Sequence, residues 1–157
     1  FLDFSLLKPR LHRWKFNLKT GATTEEDICN ETIEFGVINQ RIAGLEHKYT
    51  YSMVPTKGHF TFDGITKHDH QKKSFTKYIF PEHIFISEVS FAPKTNGIDE
   101  DDGYLVTISN DVREKSSSCL LFDAKNIEQG PVCDIPLPHQ ICSGTHATWA
   151  QKSDLKS

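Results

Sequence analysis

The sequence predicts an all-β fold, and three observations support this class. No window of a dozen residues keeps apolar side chains at the i, i+3, i+4, i+7 spacing of an amphipathic helix. Short stretches that alternate in polarity, or that are rich in β-branched and aromatic residues, run along the whole chain instead. Three segments also share a strand, a polar corner and a second strand, which indicates a repeated unit.

The predicted strands follow one another at short intervals, with turn residues between them. Thr20-Gly21, Asn96-Gly97, Asp102-Gly103 and Gly130-Pro131 mark four turns, because glycine accepts a positive φ and proline fixes φ. The strands are expected at residues 11–18, 32–38, 48–53, 59–68, 75–80, 85–91, 103–109, 118–122 and 132–137.

The repeated unit predicts a β-propeller. Its corners lie at Asn17, Asp69 and Asp123, which are 52 and 54 residues apart, close to the length of a four-stranded blade with insertions. Two to three blades are therefore expected. Since a propeller needs at least about four blades to close its ring, the chain would form only part of one. A β-sandwich with similar hairpins is the alternative fold.

Composition excludes several functional classes. The 157 residues suit one domain, and 18 basic against 21 acidic residues give a net charge of −3, which argues against sequence-independent nucleic-acid binding. No apolar run approaches the roughly 18 residues of a transmembrane helix. The chain begins at Phe1, and its one methionine is Met53, so a fragment or a processed product is expected.

Four cysteines lack the spacing of a disulfide framework. They predict reduced, mostly buried thiols in a cytoplasmic protein. Two of the cysteines and two of the eight histidines also form one candidate zinc set, although the spacing lacks the tight ligand pairs of structural zinc sites. The members of this set are Cys133, His139, Cys142 and His146. Another histidine pair, His68 and His70, flanks the corner Asp69, where a solvated hairpin is expected.

Three polar residues, including His146 of the zinc set, have unusual sequence surroundings. His146 lies among small residues that allow close backbone approach, with Trp149 available to pack behind it. Glu34 and Glu88 interrupt apolar strand sequences, where burial would require each charge to have a partner. A metal-bound imidazole needs an acceptor for its second nitrogen, and carboxylates commonly fill that role. No nucleophile elbow, phosphate-binding loop or His-Glu-x-x-His helix is present in the sequence.

Five segments, in order, resemble motifs of the carotenoid cleavage oxygenases, a family that includes lignostilbene dioxygenases. Residues 32–39 are similar to its Glu-Phe-Pro-x-Ile-Asn motif, and residues 87–93 to Gly-Glu-Pro-x-Phe-Val-Pro. Residues 100–107 match Glu-Asp-Asp-Gly-Tyr-Leu, residues 121–126 the following Leu-Asp-Ala strand, and residues 144–149 the closing Gly-Phe-His-Gly-x-Trp. The resemblance covers essentially the whole chain.

The resemblance implies that residues 1–157 are the C-terminal blades of a single seven-bladed propeller domain, with no second domain. Such a propeller holds one Fe(II) through four histidine nitrogens. It implies that His146 is the last of these ligands and that Glu34 and Glu88 accept N–H groups of ligand histidines. The implied reaction is oxidative cleavage by O₂ of a conjugated C=C bond in an apocarotenoid or stilbene-like substrate, giving two carbonyl products.

The other three ligands and the first blades would lie in the remainder of the polypeptide, so the isolated chain is expected to be inactive. Any apolar patch for membrane contact would also lie outside this stretch. The chain departs from the family pattern at four positions near the implied site, namely Gly36, Val89, Thr145 and Ala147. These departures leave an alternative function open, a non-catalytic binding module derived from a propeller.

Overall fold

The computed structural model describes residues 3–142, 144, 146–152 and 155. This part of the chain is built from antiparallel strands and three short 3-10 helices, at Phe4–Leu6, Gln40–Ile42 and Ile127–Gln129. The predicted all-β class is confirmed. The strands are β1 His12–Phe16, β2 Thr23–Asp27, β3 Glu34–Val37, β4 Tyr49–Pro55, β5 Phe62–Asp69, β6 Ser74–Ile79, β7 Ile84–Ile86, β8 Ser90–Pro93, β9 Gly103–Asp111, β10 Ser116–Asp123 and β11 Pro131–Pro136.

The strands form three sheets in chain order. β1 and β2 make a hairpin, and β3 to β6 make a four-stranded sheet in which each strand pairs with the next. The third sheet has the order β11-β10-β9-β7, and β8 also pairs with β9, so its first strand is broken into two pieces. Two complete blades and one half blade are therefore present, as the repeat predicted.

The three predicted corners confirm the repeated unit. Asp69 and Asp123 each link the third and fourth strands of a four-stranded unit, and Asn17 links the equivalent pair β1 and β2. The side-chain oxygen of each corner accepts backbone N–H groups two or three residues further on. A short polar side chain at the end of the third strand thus turns each unit in the same way.

Two predicted strand assignments were wrong. β2 was missed because Thr23–Asp27 is exposed along its whole length and carries no apolar alternation. The predicted strand 85–91 is interrupted, because the chain leaves the ladder between β7 and β8. At this interruption the N–H of Ser87 bonds to the carbonyl of Ile108 at 2.8 Å, and the side chains of residues 87–88 turn toward the C-terminal segment.

The core lies between the two larger sheets. Tyr51, Met53 and Ile65 from one sheet and Leu105 and Phe122 from the other are almost completely buried in one cluster. Alternate residues of β9 are buried, as expected for a strand with one face on the core. The two larger blades therefore share one apolar core.

Glycine at position 103 is required by this packing. A Cβ atom there would lie 2.3 Å from Cζ of Phe91, which is a steric overlap.

The loop before Gly103 also joins the two larger sheets. The Glu100 carboxylate accepts the N–H groups of Lys48 and Tyr49 at 2.7 to 2.9 Å. The Glu-Asp-Asp-Gly motif is thus a connection between blades.

The environments of several cysteines and histidines differ from expectation. All four cysteines are free, but Cys133 and Cys142 are exposed and the other two only half-buried, so the expectation of mostly buried thiols was wrong. His68 is 3% exposed and His70 is half-buried, so the pair does not lie in a solvated hairpin. The two rings lie 4.7 Å apart, and His70 contacts Thr50 while His68 lies beside Phe75. In the described residues, no helix has the length and apolarity to cross a membrane.

Candidate metal-ligand site

The C-terminal segment brings His146 against Glu88. Oε2 of Glu88 accepts the backbone N–H of Ala147 at 2.7 Å and lies 3.3 Å from Nδ1 of His146. Glu88 stands in the interruption between β7 and β8, on the edge of its sheet. One carboxylate oxygen therefore contacts both the histidine ring and the backbone immediately after it.

The burial of the two side chains is unequal. The Glu88 side chain is 12% exposed, whereas that of His146 is 73% exposed. A carboxylate facing Nδ1 favours the tautomer with the proton on that nitrogen and leaves Nε2 as the nitrogen with a free lone pair. This carboxylate–imidazole arrangement is the one found behind metal-ligating histidines. The contact with Glu88 thus leaves Nε2 of His146 as the ring nitrogen without a carboxylate partner.

The aromatic ring of Phe35 also contacts His146. Its ring lies 5.7 Å from the imidazole, centroid to centroid, in an edge-to-face arrangement. The backbone of Phe35 has φ of 52°, a left-handed conformation that costs a bulky residue roughly 1–2 kcal/mol. The strain accompanies a register shift in β3 between Glu34 and Val37. The bulge turns Phe35 toward the histidine, and such bulges often re-aim side chains near functional sites.

Gly36 follows Phe35 in the bulge, where the family pattern has proline. A Cβ atom at this position would lie 3.3 Å from Cγ2 of Thr50, which is a tight contact. The departure at Gly36 therefore falls where β3 passes close to β4. Of the other departures, Ala147 binds Glu88 through its backbone N–H, an interaction that does not depend on its side chain. Thr145 lies outside the described residues.

Glu34 is the neighbour of Phe35 but not of His146. It is half-buried and lines an open cleft together with Thr56, His59 and Phe62. Within the part of the chain that the structure describes, its carboxylate has no hydrogen-bond or ion-pair partner. The structure thus brings Glu88 and His146 together but does not bring Glu34 into contact with them. The roles of all three residues remain predictions.

The side of His146 away from Phe35 opens onto a second cleft. Ser87, Ser90, Val106, Ile141 and Trp149 line it together with Glu88 and the histidine. In the described ranges of the chain, no group of three or more His, Cys, Asp or Glu side chains converges so as to hold a metal ion.

Sequence reasoning missed two residues of this site. Phe35 immediately follows Glu34, and Ser87 immediately precedes Glu88, so both lie inside the motifs already quoted. The positive φ of Phe35 has no sequence signal, because aromatic residues rarely adopt that conformation. A hydroxyl next to a buried carboxylate was a usable signal for Ser87, since buried polar groups need partners.

Comparison with known proteins identifies relatives over nearly the whole chain. Carotenoid 9,10(9',10')-cleavage dioxygenase 1 of Phaseolus vulgaris is 29% identical over 160 aligned residues, covering 93% of this chain and 30% of the relative. Isoeugenol monooxygenase of Pseudomonas putida is 23% identical, covering 96% of this chain and 34% of the relative. The chain thus spans about a third of the length of the curated relatives it matches.

Solved structures show the same correspondence. The cobalt-substituted apocarotenoid oxygenase of Synechocystis superposes with a TM-score of 0.87 at 25% sequence identity. The match covers 96% of this chain and 32% of that one. The predicted fold class, a partial β-propeller, is therefore confirmed.

The family model described as retinal pigment epithelial membrane protein matches residues 3–151. This match takes in the segments of Glu34, Glu88 and His146 together. The chain belongs to the retinal pigment epithelial membrane protein family, which is the carotenoid cleavage oxygenase family that its motifs resemble.

Proposed function

We propose that this chain is the C-terminal part of a non-haem Fe(II) dioxygenase. The complete enzyme would oxidatively cleave a conjugated C=C bond of an apocarotenoid or stilbene-like substrate to two carbonyl products. In this proposal residues 1–157 belong to a single propeller domain, and the chain alone is inactive because it supplies one iron ligand. The observation that carries the proposal is the contact of the Glu88 carboxylate with Nδ1 of His146 at 3.3 Å.

The donor chemistry of the site fits the proposed metal. A neutral imidazole with Nδ1 directed at a carboxylate presents Nε2 to a cation, and imidazole nitrogens are suitable ligands for Fe(II). The proposal gives Glu34 the same task as Glu88, for a histidine in the remainder of the polypeptide. Its unpartnered carboxylate within the described residues is consistent with that task. Bound Fe(II) with an open position would supply the activation of O₂.

The substrate class rests on the relatives and on the shape of the site. Their names state carotenoid, apocarotenoid and isoeugenol substrates, which are conjugated and largely apolar or phenolic. In this chain, the aromatic ring of Phe35 stands beside the exposed imidazole, and Phe60 and Phe62 lie next to it. An aromatic wall of this kind suits a flat conjugated substrate.

We place the complete enzyme in the cytoplasm, with any membrane contact made by other parts of the polypeptide.

The first experiment is to read the coding DNA upstream of the Phe1 codon and to express the complete reading frame. We expect an in-frame extension of some 300 residues, given that single-chain relatives are about three times as long as this chain, with further histidines on strands. The purified product should retain iron and consume O₂ with a conjugated substrate. A start codon close to Phe1 would remove the enzyme proposal and favour a binding module.

The second experiment tests the residue that carries the proposal. His146→Ala in the complete polypeptide should abolish retention of iron, measured by metal analysis after gel filtration. The control is His139→Ala, because His139 is an exposed histidine on the same C-terminal segment. Equal iron content in the two variants would contradict the assignment of His146.

A further inference from the structure

The segment that carries His146 has an unusual means of attachment. After β11 ends at Pro136, the described residues up to Ala147 form no strand or helix. Backbone groups in such a segment still need hydrogen-bond partners when they lie against the protein. Three of its N–H groups bond to side chains of the third sheet and of the interruption before β8. Those side chains belong to Ser87, Glu88 and Ser117.

Ser117 on β10 fixes the first part of the segment. Its hydroxyl accepts the N–H of Ile141 at 2.9 Å and lies 2.7 Å from Oδ1 of Asn110, to which it donates. Its backbone carbonyl accepts the N–H of Leu137 at 2.8 Å. Because Ser117 is only 3% exposed, the hydroxyl has no competing water and its direction is set by Asn110.

Ser87 fixes the part immediately before the histidine. Its hydroxyl accepts the N–H of Gly144 at 3.0 Å, and the residue is 5% exposed. Ser87 is itself held on both sides, since its N–H bonds to the carbonyl of Ile108 and its carbonyl accepts the hydroxyl of Thr107. A rigid strand, β9, thereby determines where the backbone at Gly144 lies.

These bonds matter because the histidine side chain has few other contacts, namely the Phe35 ring and the Glu88 carboxylate. The His146 side chain is 73% exposed, and its contact with the Glu88 carboxylate is 3.3 Å long. A weak contact to an exposed ring cannot define the direction of the ring alone. The backbone on both sides of His146 must therefore also restrain the direction of the ring. The bonds to Gly144 and Ala147 bracket the histidine and provide that restraint.

We propose that Ser87 and Ser117 are positioning residues for His146, acting through the backbone of the C-terminal segment. The inference rests on the proposed function in that His146 is taken as the metal ligand being positioned. Ser87 aligns the residue two before the ligand, and Ser117 anchors the segment upstream of it. Glu88 can then meet the imidazole at the correct nitrogen.

The test uses the metal-free chain of 157 residues and nuclear magnetic resonance. Ser87→Ala should speed amide hydrogen exchange at Gly144 by about tenfold, which corresponds to the loss of one hydrogen bond. It should also move the His146 ring from the Nδ1–H toward the Nε2–H tautomer, read from long-range proton–nitrogen spectra. Ser117→Ala should produce the same ring change more weakly, with faster exchange at Ile141.

The matched control is Ser90→Ala. Ser90 lines the same cleft and is 8% exposed, but its hydroxyl has no hydrogen-bond partner in the described part of the chain. Its loss should change neither the exchange rate nor the ring spectrum. Ser87→Thr retains the accepting oxygen and should restore both properties.

Two results would overturn the proposal. The first is faster exchange at Gly144 with an unchanged His146 ring spectrum, because that would show a purely local structural role. The second is no change in either readout for Ser87→Ala. If Ser87→Ala does not fold, the comparison of Ser87→Thr and Ser117→Ala with the original chain decides the question in the same way.

These outcomes are distinguishable from failure of the proposed function. The exchange and tautomer measurements need no metal, so they stand even if the complete polypeptide binds no iron. Conversely, iron retention can depend on His146 even if substitution of Ser87 or Ser117 leaves the ring spectrum of His146 unchanged. Each result thus contradicts one proposal without deciding the other.

Discussion

Lys67 and Asp101 form a buried ion pair, with 2.7 Å between Nζ and Oδ2, that joins two neighbouring blades. Lys67 lies on β5, and Asp101 lies in the loop that leads into β9. The ammonium group also donates to the carbonyl of Lys125 at 3.2 Å and lies 4.2 Å from the ring centroid of Tyr49. The Lys67 charge is thus satisfied by Asp101 and Lys125 beside the other sheet and by the Tyr49 ring of its own sheet.

Removing one member of this pair should destabilise the chain strongly. We expect Asp101→Ala to lower the free energy of unfolding by about 3 kcal/mol, because the Lys67 charge would remain buried without its carboxylate. Urea denaturation followed by circular dichroism measures the loss. The double variant Lys67→Met, Asp101→Leu should recover most of it, since no buried charge remains. If the double variant lost as much as Asp101→Ala, the unpaired charge would not be the cause.

A second connection between the blades is a hydrogen bond between two uncharged groups. The hydroxyl of Tyr51, a residue 1% exposed, donates to the carbonyl of Ala124 at 3.1 Å. Tyr51→Phe should lower the free energy of unfolding by about 1–2 kcal/mol, because it leaves a buried carbonyl unpaired. Tyr104→Phe is the control, since the hydroxyl of Tyr104 makes no hydrogen bond among the described residues. Equal denaturation midpoints for the two variants would argue against this reasoning.

Acid should weaken the fold through the histidines beside the second corner. Burial, followed by the neighbouring His68, lowers the pKa of His70 to about 4, and burial also lowers the pKa of His68. In the unfolded chain both groups titrate near 6.5. Between pH 6.5 and 4 the unfolded state therefore binds more protons than the folded state, so the free energy of unfolding falls as the pH falls.

The contribution of His70 can be isolated by substitution. His70 lies between Thr50, whose hydroxyl is 2.8 Å from its Nε2, and Arg13, 3.3 Å from its Nδ1. His70→Gln should remove about 1–3 kcal/mol of the loss in stability between pH 7 and pH 4, a range that allows for partial solvent access. His12, whose pKa is raised by Asp27, acts in the opposite direction in every variant. His139→Gln, at an exposed position, should retain the acid loss, and a similar reduction there would contradict the assignment.

The tautomer of His146 should depend on Glu88. In the original chain we expect the proton on Nδ1, because the carboxylate lies 3.3 Å from that nitrogen. Glu88→Ala should shift the ring toward the Nε2–H form and speed exchange of the Ala147 amide, which also loses its acceptor. Long-range proton–nitrogen spectra report the tautomer. Glu82→Ala, at an exposed glutamate before β7, should change neither property. The same tautomer mixture with and without Glu88 would exclude the contact in solution.

The sequence predicted the repeated unit because its signal is local. Asn17, Asp69 and Asp123 each turn the chain through hydrogen bonds to the next few residues, so their spacing carries the blade length directly. Strand β2 lacked such a signal, since its residues are all exposed and it pairs with β1 through backbone bonds and exposed polar contacts such as Arg13–Glu26 and Trp14–Glu25. The break at 87–89 was also invisible, because it depends on a segment more than fifty residues further on.

The site was predictable in its residues but not in its geometry. The sequence singled out Glu88 as a charge in an apolar strand and His146 as a candidate ligand, and the structure places the two in contact. The burial of His68 and His70, on either side of the Asp69 corner, was predicted wrongly. Alternation along one strand does not show which other residues cover the sheet. His68 is covered by neighbours from other elements, and neither of its ring nitrogens has a partner among the described residues.

The attachment of the C-terminal segment through a few side-chain acceptors has a consequence for proteolysis. Its described residues between β11 and His146 form no regular structure and most of them are exposed, so this stretch is a preferred site for cleavage. A single cut there would release the histidine while both sheets and the core between them stayed intact. A nicked chain would keep its circular dichroism and its melting temperature and still lose the contact between His146 and Glu88.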